Sequence, residues 1–393
     1  MRWGGHFLIG TLAYWHINMA GLYLHIPFCK QACTYCDFHF STSMQSREKI
    51  VEALISEIKL QADYLPSKIV DTIYFGGGTP SLLSVDELER IFDQIQHYFT
   101  INSGAEITLE ANPDDLTITY LRKLRHTHVN RLSIGIQSFR EEDLKMMNRA
   151  HTAKHAERVV PEAADTGFEN LSIDLIYGIP DLKMEGWKKN LDKALALPVN
   201  HLSCYCLTVE PRTALAWQVE KGISKAVDDD EAANQFEWLI EKTEVAGIPW
   251  YEISNFAKPG FESRHNSNYW KGIPYLGIGP SAHSYNGKNR QWNIRNNPLY
   301  FKSINDKKIP FEEEFLTAEQ RFNETVLTSL RTRNGLTKEA ILKVAAEDSW
   351  KKIKSQAEIK IANGLMIENE NSLQLTVKGL LLADAIASEF FLL

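Results

Sequence analysis

From about residue 22 to residue 247 the chain alternates two kinds of run. Short ones are rich in β-branched and aromatic residues, and longer ones repeat their apolar positions every three to four residues. The first kind predicts strands at 22–26, 69–75, 106–110, 131–136, 171–176 and 201–208. The second predicts helices at 47–64, 85–99, 119–125, from 141 towards 164, at 187–196 and at 229–245. Ser84-Val-Asp-Glu87 opens the second of these as a capping box, the Ser oxygen and Glu carboxylate accepting from amides that a first turn leaves free. Strict alternation of strand and helix calls for parallel strands joined by right-handed crossovers, an α/β architecture. Six units fit either a partly open barrel or a doubly wound sheet, and periodicity does not separate the two.

Beyond Gly247 the pattern changes. One more strand is expected at 250–255, and a Gly-, Asn- and aromatic-rich region then runs to Pro310 as long loops, of a length that in compact chains is usually functional. Helical periodicity returns from about Phe311, with Thr317-Ala-Glu-Gln320 as a second capping box. Helices near 321–330, 338–344 and 350–363, a hairpin at 365–368 and 373–376, and a last helix from 377 towards 390 suggest a winged-helix-like unit. The expected organisation is a core domain at 19–250, a connecting region at 251–311 and a C-terminal domain at 312–393. Residues 1–18 fit nothing downstream and lack the clean apolar centre and small-residue cleavage site of a secretory signal. Met19 is therefore the expected natural start, which makes 1–18 a non-native extension.

Charge narrows the partners. There are 43 Lys and Arg against 50 Asp and Glu, with no polybasic run, and the C-terminal segment is itself acidic, so no nucleic-acid partner gripped through phosphates is expected. No apolar stretch reaches the length of a membrane span.

The candidate chemistry lies near the start and at the ends of the expected strands. Three of the five cysteines, Cys29, Cys33 and Cys36, stand within eight positions. Such a triplet suits three corners of a cubane iron–sulfur cluster and leaves one iron open to an outside ligand. Three cysteines on a buried turn, or a zinc knuckle with His39 as an unusual fourth ligand, are the alternatives. Cys204 and Cys206, as C-x-C on a strand, point to one face and do not readily form a disulfide. Reduced thiols and an oxygen-sensitive cluster both point to the cytoplasm. Polar residues punctuate the carboxyl ends of the strands, where parallel α/β sheets gather reactive groups. Among them are Gly76-Gly-Gly-Thr-Pro80, whose free amides could hold ligand oxygens, and Glu110, Gln137 and Asp174.

The C-x3-C-x2-C triplet, with Tyr35 before its last Cys, is similar to that of radical S-adenosylmethionine (SAM) proteins. Tyr23-Leu-His-Ile-Pro-Phe-Cys29, the Gly76–Pro80 run, Asp174-Leu-Ile-Tyr-Gly-Ile-Pro180 and the helical C-terminus together resemble the oxygen-independent coproporphyrinogen III oxidase family, over residues 21–393. The oxidase has a further Cys two positions after the triplet, where this chain has Phe38. That ending and His265-Asn-Ser-Asn-Tyr-Trp270 resemble the family's heme-chaperone branch.

The resemblance implies a partial (β/α)6 radical SAM barrel followed by a mainly helical, winged-helix-like C-terminal domain. It implies a [4Fe-4S] cluster on Cys29, Cys33 and Cys36, and SAM bordered by Tyr23, Tyr35, Gly77, Gly78, Thr79 and Glu110. Gln137, Arg149 and Asp174 match residues that in the oxidase hold a second SAM. His265 becomes the candidate axial ligand for heme, covered by Tyr269 and Trp270, where the residues alone also allow a loop histidine hydrogen-bonded among Asn266 and Asn268. His283 and Tyr285 are the next candidates, and His25 and His151 are expected to support the cluster or cofactor site. The implied activity is to bind heme and pass it to acceptor apo-haemoproteins, without coproporphyrinogen oxidase activity. Radical decarboxylation of a porphyrinogen propionate is the rival, and radical SAM chemistry on an unrelated substrate is a third reading.

Overall fold

The computed structural model describes residues 19–392, so the expected extension at 1–18 lies outside the described residues. Six strands, β1 (Gly21–Ile26), β2 (Ile69–Gly77), β3 (Thr100–Ala111), β4 (Arg131–Gln137), β5 (Asn170–Tyr177) and β6 (His201–Cys206), pair in parallel in their sequence order. A doubly wound sheet reverses its strand order at a switch point. Here every crossover steps the same way, which is the winding of a barrel.

The barrel is not closed. The sheet continues through β7 (Trp250–Glu252) and β8 (Asn255–Ala257) beside β6, and through β9 (Tyr275–Ile278), β10 (His283–Tyr285), β11 (Asn289–Asn293) and β12 (Phe311–Phe315) beside β1. β9 pairs in parallel with β1, and the strands beyond it are antiparallel. The region expected as loops to Pro310 thus supplies four strands, β8 to β11, to the main sheet, and β12 takes up the start of the stretch read as helical. Strands of three to five residues are too short to show a period, and close-packing glycines break their apolar pattern. At Gly277 a Cβ would lie 2.0 Å from the His283 carbonyl oxygen, so no larger residue fits.

Successive side chains of a strand point to opposite faces. Leu22, Leu24, Ile26, Ile73, Phe75, Leu109, Leu132 and Ile134 take one face, fully buried in the main core. The other face turns Tyr23, His25, Tyr74, Glu110, Arg131, Ser133 and Asp174 into the lumen. Branched apolar layers usually fill such a barrel; this lumen is lined with hydrogen-bonding groups.

The helix expected from 141 to 164 is two helices, Glu141–Met146 and Ala153–Asp165. Asn148 breaks it with a left-handed φ of 54°, and Arg149 and His151 turn inward from the break. Both capping boxes are formed. The C-terminal module packs helices Ala318–Leu330, Lys338–Val344 and Glu347–Ala362 against a three-stranded sheet made of Leu336–Thr337, Ser372–Leu375 and Met366–Asn369. Arg333 ties it to the barrel, its guanidinium gripping Glu244 with two bonds of 3.0 Å and its amide donating to the Tyr251 carbonyl at 2.9 Å. No helix among the described residues is long and apolar enough to cross a membrane.

Candidate functional site

β1 ends in the loop that carries the cysteines, and the loop is closed at its base. Cys29 donates its amide to the Ser41 carbonyl at 3.1 Å, and Ser41 donates back to Pro27 at 2.9 Å. Its far side is tied down by Thr34, whose amide and hydroxyl both donate to the Met146–Met147 carbonyls at 3.1 Å. Asn148 gives its amide to the Ala32 carbonyl at 2.7 Å, and Lys30 pairs with Asp114 at 2.8 Å. Cys29, Cys33 and Cys36 are half-buried free thiols. Burial pushes Cys29 and Cys36 up to about 11, an environment that disfavours a bare thiolate. Arg149 stands over the loop, one amine 3.3 Å from the Cys33 sulfur, the other held by the Gly135 carbonyl (2.8 Å) and Asn112 (2.6 Å). Its Nε is a buried donor with no partner among the described residues. The zinc alternative lacks its fourth ligand, because His39 Nε2 faces Asn297 Oδ1 at 2.7 Å.

Above the lumen, the ends of β2 and β3 place the glycine run against Glu110. The run works by close approach rather than through free amides, since the Gly78 amide donates to the Ile26 carbonyl at 2.9 Å and the Gly77 amide lies against Glu110. Gly77 has φ +101°, and a Cβ there would come within 2.6 Å of the His25 ring; at Gly78 it would meet the Phe28 carbonyl at 2.5 Å. Thr79 is buried, accepts from Asn112 at 3.1 Å and faces the Cys29 thiol. Tyr74 donates to Glu110 at 2.7 Å, and burial raises Glu110 to about 7. Tyr23 stacks on Tyr74 at 6.2 Å and reaches His25 Nδ1 at 3.2 Å, and Tyr35 packs beside Arg149 and Cys33.

Gln137, with φ 67°, and Arg149 both converge on Gly135, where a Cβ would meet the two side chains at 2.8 and 3.3 Å. Asp174 accepts from Ser133 at 3.2 Å, is raised to about 6 by burial, and feels the charges of Arg131 and Arg149. All the barrel residues singled out from the sequence therefore face one mouth. His25 and His151 brace it, each with Nε2 against a backbone carbonyl, His39 at 2.9 Å and Ile136 at 3.0 Å.

His265 lies on a helix, where long loops were expected. Its motif forms a helix, Arg264–Trp270, capped by Ser263 and packed on β2, because the Glu106 carboxylate accepts the Arg264 and His265 amides, each at 3.0 Å. The ring is 2 % exposed and stacks under Tyr74 at 5.1 Å. Nδ1 is 2.8 Å from the Thr72 hydroxyl and Nε2 2.8 Å from the Tyr269 hydroxyl. A phenol is the stronger donor, so the ring proton belongs on Nδ1 and the Nε2 lone pair faces Tyr269. Burial lowers the ring to about 3, which keeps it neutral. Asn266 and Asn268 are not bonded to it. Tyr269 and Trp270 instead line a cleft of about 2390 Å³ between the barrel and the C-terminal module, above the 300–1,000 Å³ of ordinary small-molecule sites.

Residues 23–194 match the model of the radical SAM superfamily. The chain is 36 % identical to the heme chaperone HemW of Mycobacterium tuberculosis, over 93 % of each chain. It is 33 % identical to that of Bacillus subtilis, over 95 % of this chain and 99 % of the relative. The chain belongs to the HemW family of radical SAM proteins. Its fold is shared with the coproporphyrinogen III oxidase HemN of Escherichia coli, at 24 % identity and a TM-score of 0.82, over 95 % of this chain and 90 % of that one.

HemW membership implies a [4Fe-4S] cluster and SAM, and the residues fit both. Three free thiols, a closed loop and an Arg149 donor with no partner among the described residues suit an anionic cluster. The glycine cradle and the two raised carboxylates suit a ligand carrying both amine and carboxylate.

One determinant of the mouth was missed in the sequence. Arg131, at the start of β4, is 1 % exposed, and its charge acts on Glu110, Asp174 and His265. Its alternation with Ser133 on β4 was the available signal.

Proposed function

We propose that this protein is a cytoplasmic heme chaperone, which binds heme and passes it to acceptor apo-haemoproteins on a barrel that carries a [4Fe-4S] cluster and SAM. Near full-length likeness to relatives named as heme chaperones carries the reading. In it, Cys29, Cys33 and Cys36 hold the cluster, and Tyr23, Tyr35, Gly77, Gly78, Thr79 and Glu110 border SAM. When bound, the cluster offers SAM an open iron and a source of single electrons.

Around that site this chain supplies a closed loop that shields the cysteines and a half-buried carboxylate, Glu110, able to accept from an amine. Gln137, Arg149 and Asp174 form the proposed second SAM position, and Arg149 also balances charge at Cys33.

Heme occupies the cleft walled by Tyr269 and Trp270. His265 is the proposed inner ligand of the loaded state. An iron reaching it replaces the Tyr269 hydroxyl at Nε2, while Thr72 keeps the Nδ1 proton and so fixes the ring. Phe38, 66 % exposed on the same cleft, stands where the oxidase family has its extra cysteine and offers the cleft no sulfur.

The test uses anaerobically reconstituted protein. It should give a saturable Soret band with ferric heme and release heme to an apo-haemoprotein, with no carbon dioxide evolved from coproporphyrinogen III, SAM and reductant. Rapid decarboxylation, or no saturable heme spectrum, would overturn the reading.

A further inference from the structure

Of the three histidines that line the cleft, His25, His39 and His283, the last has quite different surroundings. β10 and β11 pair antiparallel, His283 opposite Trp292 and Tyr285 opposite Arg290. Residues two apart share a face, so these four stand together on one side of the hairpin. Ser284 between them points the other way, buried and accepting from the Gly277 amide at 2.9 Å.

The His283 ring is exposed and lies over Trp292 at 6.0 Å, with 27° between the planes. Among the described residues nothing is hydrogen-bonded to either of its nitrogens. By contrast, His25, His201 and His265 have both nitrogens engaged by neighbours.

Five guanidiniums line this cleft, and two of them, Arg295 and Arg321, stand apart from the rest. Arg295 donates to the Asp37 carbonyl, and Arg321 to the Leu316 carbonyl at 2.8 Å. Neither is in an ion pair among the described residues, so both keep a net positive charge. Arg290, in contrast, is neutralised by Glu324 at 2.7 Å. Arg321 acts on Tyr285, and Arg295 and His283 both act on His25, which places the set around one opening.

We infer that His283 is the first residue to take the iron of a heme entering the cleft, with its two propionates received by Arg295 and Arg321. The inference rests on the heme-chaperone reading. A free imidazole lone pair, a flanking aromatic and two unneutralised guanidiniums match the iron, the ring and the carboxylates of a ferric porphyrin. An open ligand on the rim also suits release, because an acceptor's own ligand can displace His283 without opening the barrel. His265, behind Tyr269, cannot be reached that way.

The experiment mixes the full chain with hemin in a stopped-flow spectrometer and follows the Soret band. His283→Ala should remove the fast phase and raise the dissociation constant roughly tenfold or more, and added imidazole should restore the lost absorbance. His265→Ala should keep the fast phase. Wild-type protein should bind hemin dimethyl ester, which has no propionate charge, more weakly than hemin, and Arg295→Gln with Arg321→Gln should erase that preference. His283 lies on the surface, so its variant should keep the wild-type circular dichroism. A His283→Ala variant with unchanged rate, affinity and spectrum would overturn the ligand assignment. Equal binding of hemin and its diester by the wild type would overturn the propionate assignment. If the wild type fails to bind hemin at all, the function itself falls.

Discussion

A half-buried carboxylate and a buried imidazole decide how the mouth responds to pH and to substitution. Glu110 stands raised from 4.5 to about 7, chiefly by burial. The folded chain therefore holds a proton that the unfolded chain has already lost between those values, so stability is fully present below about 4.5 and falls as pH rises towards 7. Asp174, raised to about 6 by burial, works in the same direction. Glu110→Gln should flatten the decline by on the order of 1–3 kcal/mol, read as the difference between urea midpoints at pH 5 and pH 7.5. A variant whose midpoints fall as steeply as the wild type's would contradict this.

At the buried imidazole, Tyr269→Phe leaves His265 Nε2 without its donor. The loss of stability should be about 1–3 kcal/mol. The same change bares the lone pair, so the slow phase of heme uptake should quicken. Unchanged stability would mean that the 2.8 Å contact contributes nothing.

Among the elements, the end of β1 and the turn after β2 act as one piece, because the parallel register sets Ile26 beside Gly77. Gly78→Ala would drive a methyl into the Phe28 carbonyl, which belongs to the backbone and cannot swing aside. Iron and sulfide uptake should drop while far-UV circular dichroism stays close to wild type; full uptake would show that the loop base yields.

The six strands, both capping boxes and the C-terminal hairpin were legible in the sequence because each rests on a local period or a short-range bond. So was the cysteine triplet, whose spacing is itself the signal. The choice of barrel over doubly wound sheet came from the motifs' resemblance and not from periodicity, since it depends on which strand neighbours which. Strand β9 and the helix at His265 were hidden for related reasons. The former is four residues long, and the latter is held by Glu106 from 159 positions away, a partner no local pattern reveals.

Across the whole molecule, one buried carboxylate joins the barrel to the strands that extend it. Glu57, on the helix Arg47–Leu60, accepts from the Gly279 amide at 2.7 Å, Asn293 at 2.6 Å, Gln61 at 2.8 Å and the Tyr300 hydroxyl. Glu57→Leu strands those donors in the core and should cost at least about 3 kcal/mol. Amide exchange should accelerate first at Gly279 and Asn293. Uniform acceleration everywhere would show that β9 to β11 do not open as a unit.

The pairing of β9 with β1 also sets a schedule for synthesis. Strands β1 to β6 can each dock on the one before as they leave the ribosome, whereas the outer edge of β1 has no neighbour until Tyr275–Ile278 emerge. The three thiols hang from that waiting edge. Iron delivered to a nascent chain would meet them while one flank of their strand still lies bare, long before the cleft walled by β10, β11 and the C-terminal helices exists to receive a porphyrin.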